Sequence, residues 1–193
     1  MDLSHPIRCV VPSLDGPVLE ALTSTTSPAS LTEVRRRAGL GSLSGVRKVL
    51  RRLAEQGVVH HDPAGYALNR DHVAAPALLL LAQLHGEVAV RIRAWLSGRP
   101  EKVVAAGLFG SAARREGDAT SDIDVVVITA EPVGPDLADA LADALEQWTG
   151  NRGQIVALTR DEARMLRDEG RSIVESWRRD LQMLLGDRSQ VLG

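Results

Sequence analysis

The sequence is short of several residue types, and each shortage excludes something. Cys9 is the only cysteine among 193 residues, so no internal disulfide can form and nothing points to a cysteine-based zinc site. Aromatic residues make up 3% of the chain, which leaves leucine, valine and alanine to fill any core. Only two of the 23 basic residues are lysines. Positive charge is therefore carried by arginine, whose planar fork suits phosphate contacts. The longest apolar run, Val73 to Ala82, contains Pro76 and is too short to cross a bilayer. The opening Met-Asp-Leu-Ser-His-Pro has neither the basic segment nor the apolar stretch of a secretion signal. No membrane partner is expected, and the expected location is cytoplasmic. No internal repeat or low-complexity segment is present.

Apolar residues make up 44% of the chain, enough for a real core, and its length suits one large or two small domains. The net charge of −2 is unevenly spread: residues 1–70 hold nine Arg/Lys against six Asp/Glu, and residues 71–193 hold fourteen against nineteen. A basic front and an acidic back imply two modules with different partners.

In the front module the 3–4 spacing of Leu14, Val18 and Leu22 predicts a first helix over 14–22. Ser24 to Ser30 is loop-like in composition. Ser30-Leu-Thr-Glu33 is a capping-box pattern that opens a second helix, ended by Gly39 and Gly41. A third helix over 43–56 points Val46, Val49, Leu50 and Leu53 inward, and Gly57 stops it. Two short strands follow, 58–61 and 65–68, turning at Asp62-Pro63-Ala64. The order of elements resembles a winged helix-turn-helix. The third helix exposes Ser44, Arg47, Lys48 and Arg51 while its other side is apolar. A helix of that kind enters the major groove of double-stranded DNA, its basic residues meeting phosphates. His60 and His61 lie beside the turn. The plainer reading is a solvated basic face on a protein-binding domain.

Residues 71–98 predict a connecting helix, near 75–96, with the stripe Leu78, Leu81, Leu84, Val88, Ile92 and Trp95. His85 on that helix reads as structural. The back module, residues 99–193, alternates apolar strands (102–109, 122–129, 154–159) with a helix over 136–149. One or two closing helices carry Ile173, Val174, Trp177, Leu181, Leu184 and Leu185.

The chemistry concentrates at Gly110-Ser111 and Asp122-Ile-Asp124. A glycine lets backbone approach a phosphate, and the serine adds a hydroxyl. The short helical turn Ala112-Ala113-Arg114 presents free N–H groups, with Arg114 and Arg115 adding positive charge. Residues i and i+2 of a strand share a face, so Asp122 and Asp124 sit ~6–7 Å apart. That separation lets both carboxylates reach one magnesium ion, which completes its shell with phosphate and water. Either pair alone is a weak signal; between two apolar strands, they reinforce each other.

This pattern resembles the minimal nucleotidyltransferases of the DNA polymerase beta superfamily over about residues 101–160. The resemblance implies that Gly110, Ser111 and Arg114 contact the phosphates of an NTP. It implies that Asp122 and Asp124 hold Mg2+ and are catalytic, and that a nucleoside monophosphate passes to a hydroxyl on a protein or small molecule. It also extends to the antitoxin halves of toxin–antitoxin pairs, some of which nucleotidylate their toxin. One departure stands out. The family's third carboxylate belongs on the strand over 154–159, which has no acid, and Val156 takes its expected place. Asp161 and Glu162 read instead as charges at the start of the next helix. Two functions stay open: a nucleotidyltransferase carrying a DNA reader, or a transcriptional regulator whose degenerate transferase module senses a nucleotide or mediates dimerisation. The expected fold class is α+β: an N-terminal winged helix-turn-helix over 1–70, the connecting helix over 71–98, and a nucleotidyltransferase fold over 99–193 with a small mixed sheet flanked by helices. A homodimer on a DNA palindrome is the default assembly.

Overall fold

In the computed structural model, residues 1–99 and 102–193 are described. They divide into two units: Ser4–Leu84 with Asp2, and His85–Gly193 with Met1 and Leu3.

The first unit opens with a helix absent from the expectation, α1 (Pro6–Val10), started by Pro6 in its first turn, where the ring's fixed φ is already helical. It continues with α2 (Asp15–Thr23), α3 (Leu31–Ala38) and α4 (Leu43–Glu55), then β1 (Val59–Asp62), β2 (Gly65–Leu68) and α5 (Ala75–Ala82). Ser30 caps α3 by accepting from the Glu33 N–H at 3.2 Å. Only this half of the expected capping box forms, because Glu33 turns to Arg36 and Arg37 at 2.6 and 2.7 Å. The hydrogen bond from Arg36, followed by that from Arg37, brings its carboxyl down to about 2. Ser42 caps α4 in the same way through the Gly45 N–H at 3.1 Å. The hairpin pairs Asp62 with Gly65, so the turn itself is Pro63-Ala64. Ala29, inside the expected loop, exchanges two 2.9 Å backbone hydrogen bonds with Tyr66 and adds a rung beside β2. Val18, Leu22, Val34, Val46, Leu50 and Leu53 form the core of this unit, and Leu78, Leu79 and Leu81 of α5 pack against it.

The expected single helix over 75–96 is two helices. It breaks at Gln83, and α6 (Leu84–Ser97) begins at once. A continuous stripe serves one core. Here the α5 leucines join the first core while Val88, Ile92 and Leu96 join another, so the stripe is divided between two cores.

The second unit adds β3 (Val103–Phe109), α7 (Gly110–Arg114), β4 (Ile123–Thr129), α8 (Pro135–Thr149), β5 (Gly153–Thr159), α9 (Arg160–Asp168), α10 (Ser172–Asp180), β6 (Gln182–Leu185) and α11 (Ser189–Leu192). The sheet order is β5-β4-β3-β6. β3 is antiparallel to β4 and β6, and β4 is parallel to β5. Period-two alternation assigns the two faces of β4. Ile123, Val125 and Val127 pack with Ile92, Leu141 and Leu145. Val126 and Ile128 pack with Phe109, Val174 and Trp177. Asp124 belongs by parity to the second face, the one covered by α10.

The expected helical stripe over 173–185 is cut short. After Leu181 (φ −57°, ψ 115°) the chain leaves α10, and Gln182–Leu185 pairs with the outer edge of β3. Unpaired backbone on a buried strand is costly, so the sheet edge takes the segment away from the helix. No single helix among the described residues is long and apolar enough to cross a membrane.

Candidate active site

β3 delivers the chain to the turn at Gly110. Phe109 sits opposite Asp124 in the β3–β4 register, so the first residue after β3 emerges beside that carboxylate. Gly110 has φ +66°, and a Cβ there would run into the Asp124 side chain, with Cγ only 3.1 Å away. Glycine is thus required twice, by backbone conformation and by space. Ser111 follows, partly exposed, at the start of α7. The loop after α7 folds back on it: the Glu116 N–H donates to the Ser111 carbonyl at 3.0 Å. A Cβ on buried Gly117 would stand 3.3 Å from Ser111 Oγ.

The other wall is the acidic pair. Asp122 is exposed just before β4, Ile123 is buried, and Asp124 is partly buried. Burial pushes the Asp124 carboxyl up, the Asp122 charge pushes it further, and Arg114 opposes both. Two hard oxygen donors that repel each other across a short gap suit a small divalent cation, which keeps several sites for water and phosphate. Among the described residues no group of three or more His, Cys, Asp or Glu side chains could hold a metal. Asp122 and Asp124 are the two side chains here that could hold such an ion.

Arg114 is not a free arm. Its Nε donates to Glu116 at 2.6 Å and its Nη1 to Asp180 at 2.5 Å. In the β5 register the rung beside Asp124 is Gln154, and Val156 pairs with Val126 one step further along the same face. Gln154 is exposed and uncharged, so β5 still supplies no acid. Glu162 closes a full capping box with Thr159 at the start of α9, consistent with a helix-start role.

Two contributors went unread in the sequence. Asp180 is one. The other is Asn151, buried just after α8, whose side-chain amide donates to the Ser121 carbonyl at 2.9 Å and the Asp118 carbonyl at 3.3 Å. It ties down the loop that leads into Asp122. No local pattern marks it, since its partners lie about thirty residues away. Asn151→Ala is expected to cost about 2 kcal/mol by leaving buried groups unpaired; urea unfolding monitored by circular dichroism measures it. His85 is buried with neither ring nitrogen partnered. Burial, then the charge of Arg115, lowers its pKa, which keeps it neutral.

In the other unit, Ser44, Arg47, Lys48 and Arg51 are all exposed on α4, opposite buried Val46, Val49, Leu50 and Leu53. Arg51 lies 3.7 Å from Glu55, and Arg52 pairs with Asp15. His60 and His61 are exposed on the hairpin, and His61 stacks on Tyr66 at 4.1 Å.

No curated protein matches the chain. A chain in the crystal structure of a mutant of the toxin-antitoxin MntA-HpeT aligns over 55% of this chain and 76% of its own, at 18% identity and a TM-score of 0.40. Residues 91–175 match the family model described as polymerase beta, nucleotidyltransferase. The Gly110-Ser111 turn and the Asp122–Asp124 pair thus lie within a segment similar to the nucleotidyltransferases of the polymerase beta family.

Proposed function

We propose that the second unit binds a nucleoside triphosphate with Mg2+ and transfers the nucleoside monophosphate to a hydroxyl on a protein or small molecule. The observation that carries this reading is the approach of Asp124 to Gly110. A glycine in the left-handed region, a serine hydroxyl and two carboxylates meet at the ends of adjacent strands within the segment similar to nucleotidyltransferases. Asp122 and Asp124 are the residues that would hold the metal. When bound, Mg2+ supplies positive charge to the phosphate oxygens. Gly110 lets backbone approach the phosphates, Ser111 offers its hydroxyl and Arg114 its guanidinium. In the transfer the acceptor oxygen bonds to the α-phosphorus, the bond from that phosphorus to the bridging oxygen breaks, and pyrophosphate leaves with the electron pair. With no acid on β5, the acceptor's proton passes to water, and positioning supplies most of the rate.

The first unit is proposed to be a winged helix that reads double-stranded DNA with Ser44, Arg47, Lys48 and Arg51 of α4, as a homodimer on a palindrome. An antitoxin-type protein that modifies its cognate toxin and represses their shared promoter would use both units. Gln154 beside Asp124 favours a second reading: a regulator that senses the nucleotide without turning it over.

Labelled ATP, CTP, GTP and UTP, supplied with Mg2+ and cell lysate, separate the two. A labelled acceptor identifies the transferase; NTP-dependent DNA binding with no label identifies the sensor. For the DNA unit, Arg47→Ala with Arg51→Ala should weaken binding to duplex DNA. The slope of log affinity against log salt should flatten by about two, one for each arginine taken away from a phosphate. Fluorescence anisotropy across a salt series tests this, and an unchanged slope removes α4 as the reader.

A further inference from the structure

Asp180 is an acid in an unfavourable place. It is the last residue of α10, where the helix dipole opposes negative charge, and its side chain is only 1% exposed, where an unpaired charge is costly. Two arginines hold it there. Arg179 donates through Nε to Oδ1 at 2.9 Å and through Nη2 to Oδ2 at 3.0 Å. Arg114 donates through Nη1 to Oδ2 at 2.5 Å. The end of α10 is itself fixed, because Arg188 donates to the carbonyls of Trp177, Arg178 and Leu181. Asp180 therefore forms a stationary anchor, and Arg114 reaches it from α7, the helix that begins at Gly110 and Ser111.

Building on the nucleotide-site reading above, we propose that Asp180 is a positioning residue for Arg114 and that the pair sets the preference for a triphosphate over a monophosphate. A guanidinium has five N–H groups in a rigid fork. Asp180 takes one at Nη1 and Glu116 takes Nε, which leaves the Nη2 edge for an anion. A long arginine side chain loses much rotamer freedom when it grips a ligand. Arg114 has already lost that freedom against α10, so a phosphate meets a preset donor. Arg114 closes the same short helix that Gly110 opens, and Gly110 is the residue whose turn faces the Asp124 side chain. Residue 180 falls outside the matched segment 91–175, so this anchor belongs to the closing part of the chain.

The test is isothermal titration of Mg–ATP and Mg–AMP into the full-length chain and three variants: Asp180→Ala, Asp180→Asn and Arg114→Lys. Asp180→Ala should weaken ATP about tenfold, the scale of one charge-assisted hydrogen bond, while AMP affinity stays within about twofold. Arg114→Lys keeps the charge but loses the fork and should show the same selective loss. Adding Asp180→Ala to Arg114→Lys should cost nothing more, as expected for residues acting as one unit. Asp180→Asn should fall between the wild-type chain and Asp180→Ala. If Asp180→Ala does not fold, Arg114→Lys and Asp180→Asn carry the test. Equal loss of ATP and AMP, or an ATP-to-AMP ratio unchanged in all three variants, overturns the positioning role and leaves the nucleotide site standing. A wild-type chain that binds neither nucleotide overturns the site reading and this inference together.

Discussion

Asp124→Asn is expected to abolish nucleotide transfer and, in the same preparation, to raise the melting temperature of the metal-free protein. The two effects share one cause. Asp124 is partly buried beside Asp122, and its carboxyl is pushed above the usual range by burial first and by the neighbouring charge second. A carboxyl whose folded pKa exceeds its unfolded value holds more protons in the fold than in the unfolded chain. Stability then falls as pH rises from the unfolded value through the folded one, and the penalty is complete above the folded value. Asparagine keeps the shape and removes the charge, so the fold is relieved while the proposed cation site loses a ligand. Transfer should drop by about 10³-fold or below detection, the scale on which preorganised charge stabilises such transition states. Differential scanning fluorimetry in EDTA, from neutral pH down through the ordinary carboxylate range, should show the melting temperature of Asp124→Asn exceeding that of the wild-type chain by more at neutral pH than at the acid end. A melting temperature lowered by the substitution would sink the account of a strained carboxylate pair. Transfer that survives it would sink the assignment of the metal site.

Gly110→Ala should damage the site and the fold together. At φ +66° an alanine pays about 1–2 kcal/mol for the left-handed region alone. Its Cβ would also run into the Asp124 carboxylate, so the turn or the carboxylate must move. A total of about 3 kcal/mol corresponds to a fall of roughly 6–12 °C for a chain of this size. A shift of about 1 Å at the phosphate turn costs on the order of 10²-fold in rate. The double variant with Asp124→Ala should lose less stability than the two single effects added, because truncating Asp124 removes the side chain that the new Cβ meets. Strict additivity would mean that the glycine is needed only for its φ angle. Thermal melts of the three variants decide it.

Much of this site was legible in the chain because its signals are local. The helix and strand periods around it were strong, a glycine-serine pair ended one apolar strand, and two acids spaced by two began another. The same holds for α4, where capping serine, apolar stripe and basic face lie within fourteen residues. What escaped reading depends on distant partners. Asn151 acts on carbonyls thirty residues earlier, and Asp180 acts on an arginine 66 residues away. The segment 182–185 has a pattern compatible with a continuing helix, and only the open edge of β3 makes it a strand. The break at Gln83 has no proline to announce it, and Gly86 lies inside the helix that follows; it follows from two cores competing for one leucine-rich stripe. Glu33 shows the converse case, where a correctly spaced capping glutamate found stronger partners one turn along its own helix.

That break also bears on how such a chain can change over time. Because the leucines before Gln83 serve one core and the valine, isoleucine and leucine after it serve another, substitutions in either core should leave the other's packing intact. The proposed reading face of α4 and the proposed nucleotide site at Asp122 and Asp124 then become independently adjustable properties of one polypeptide.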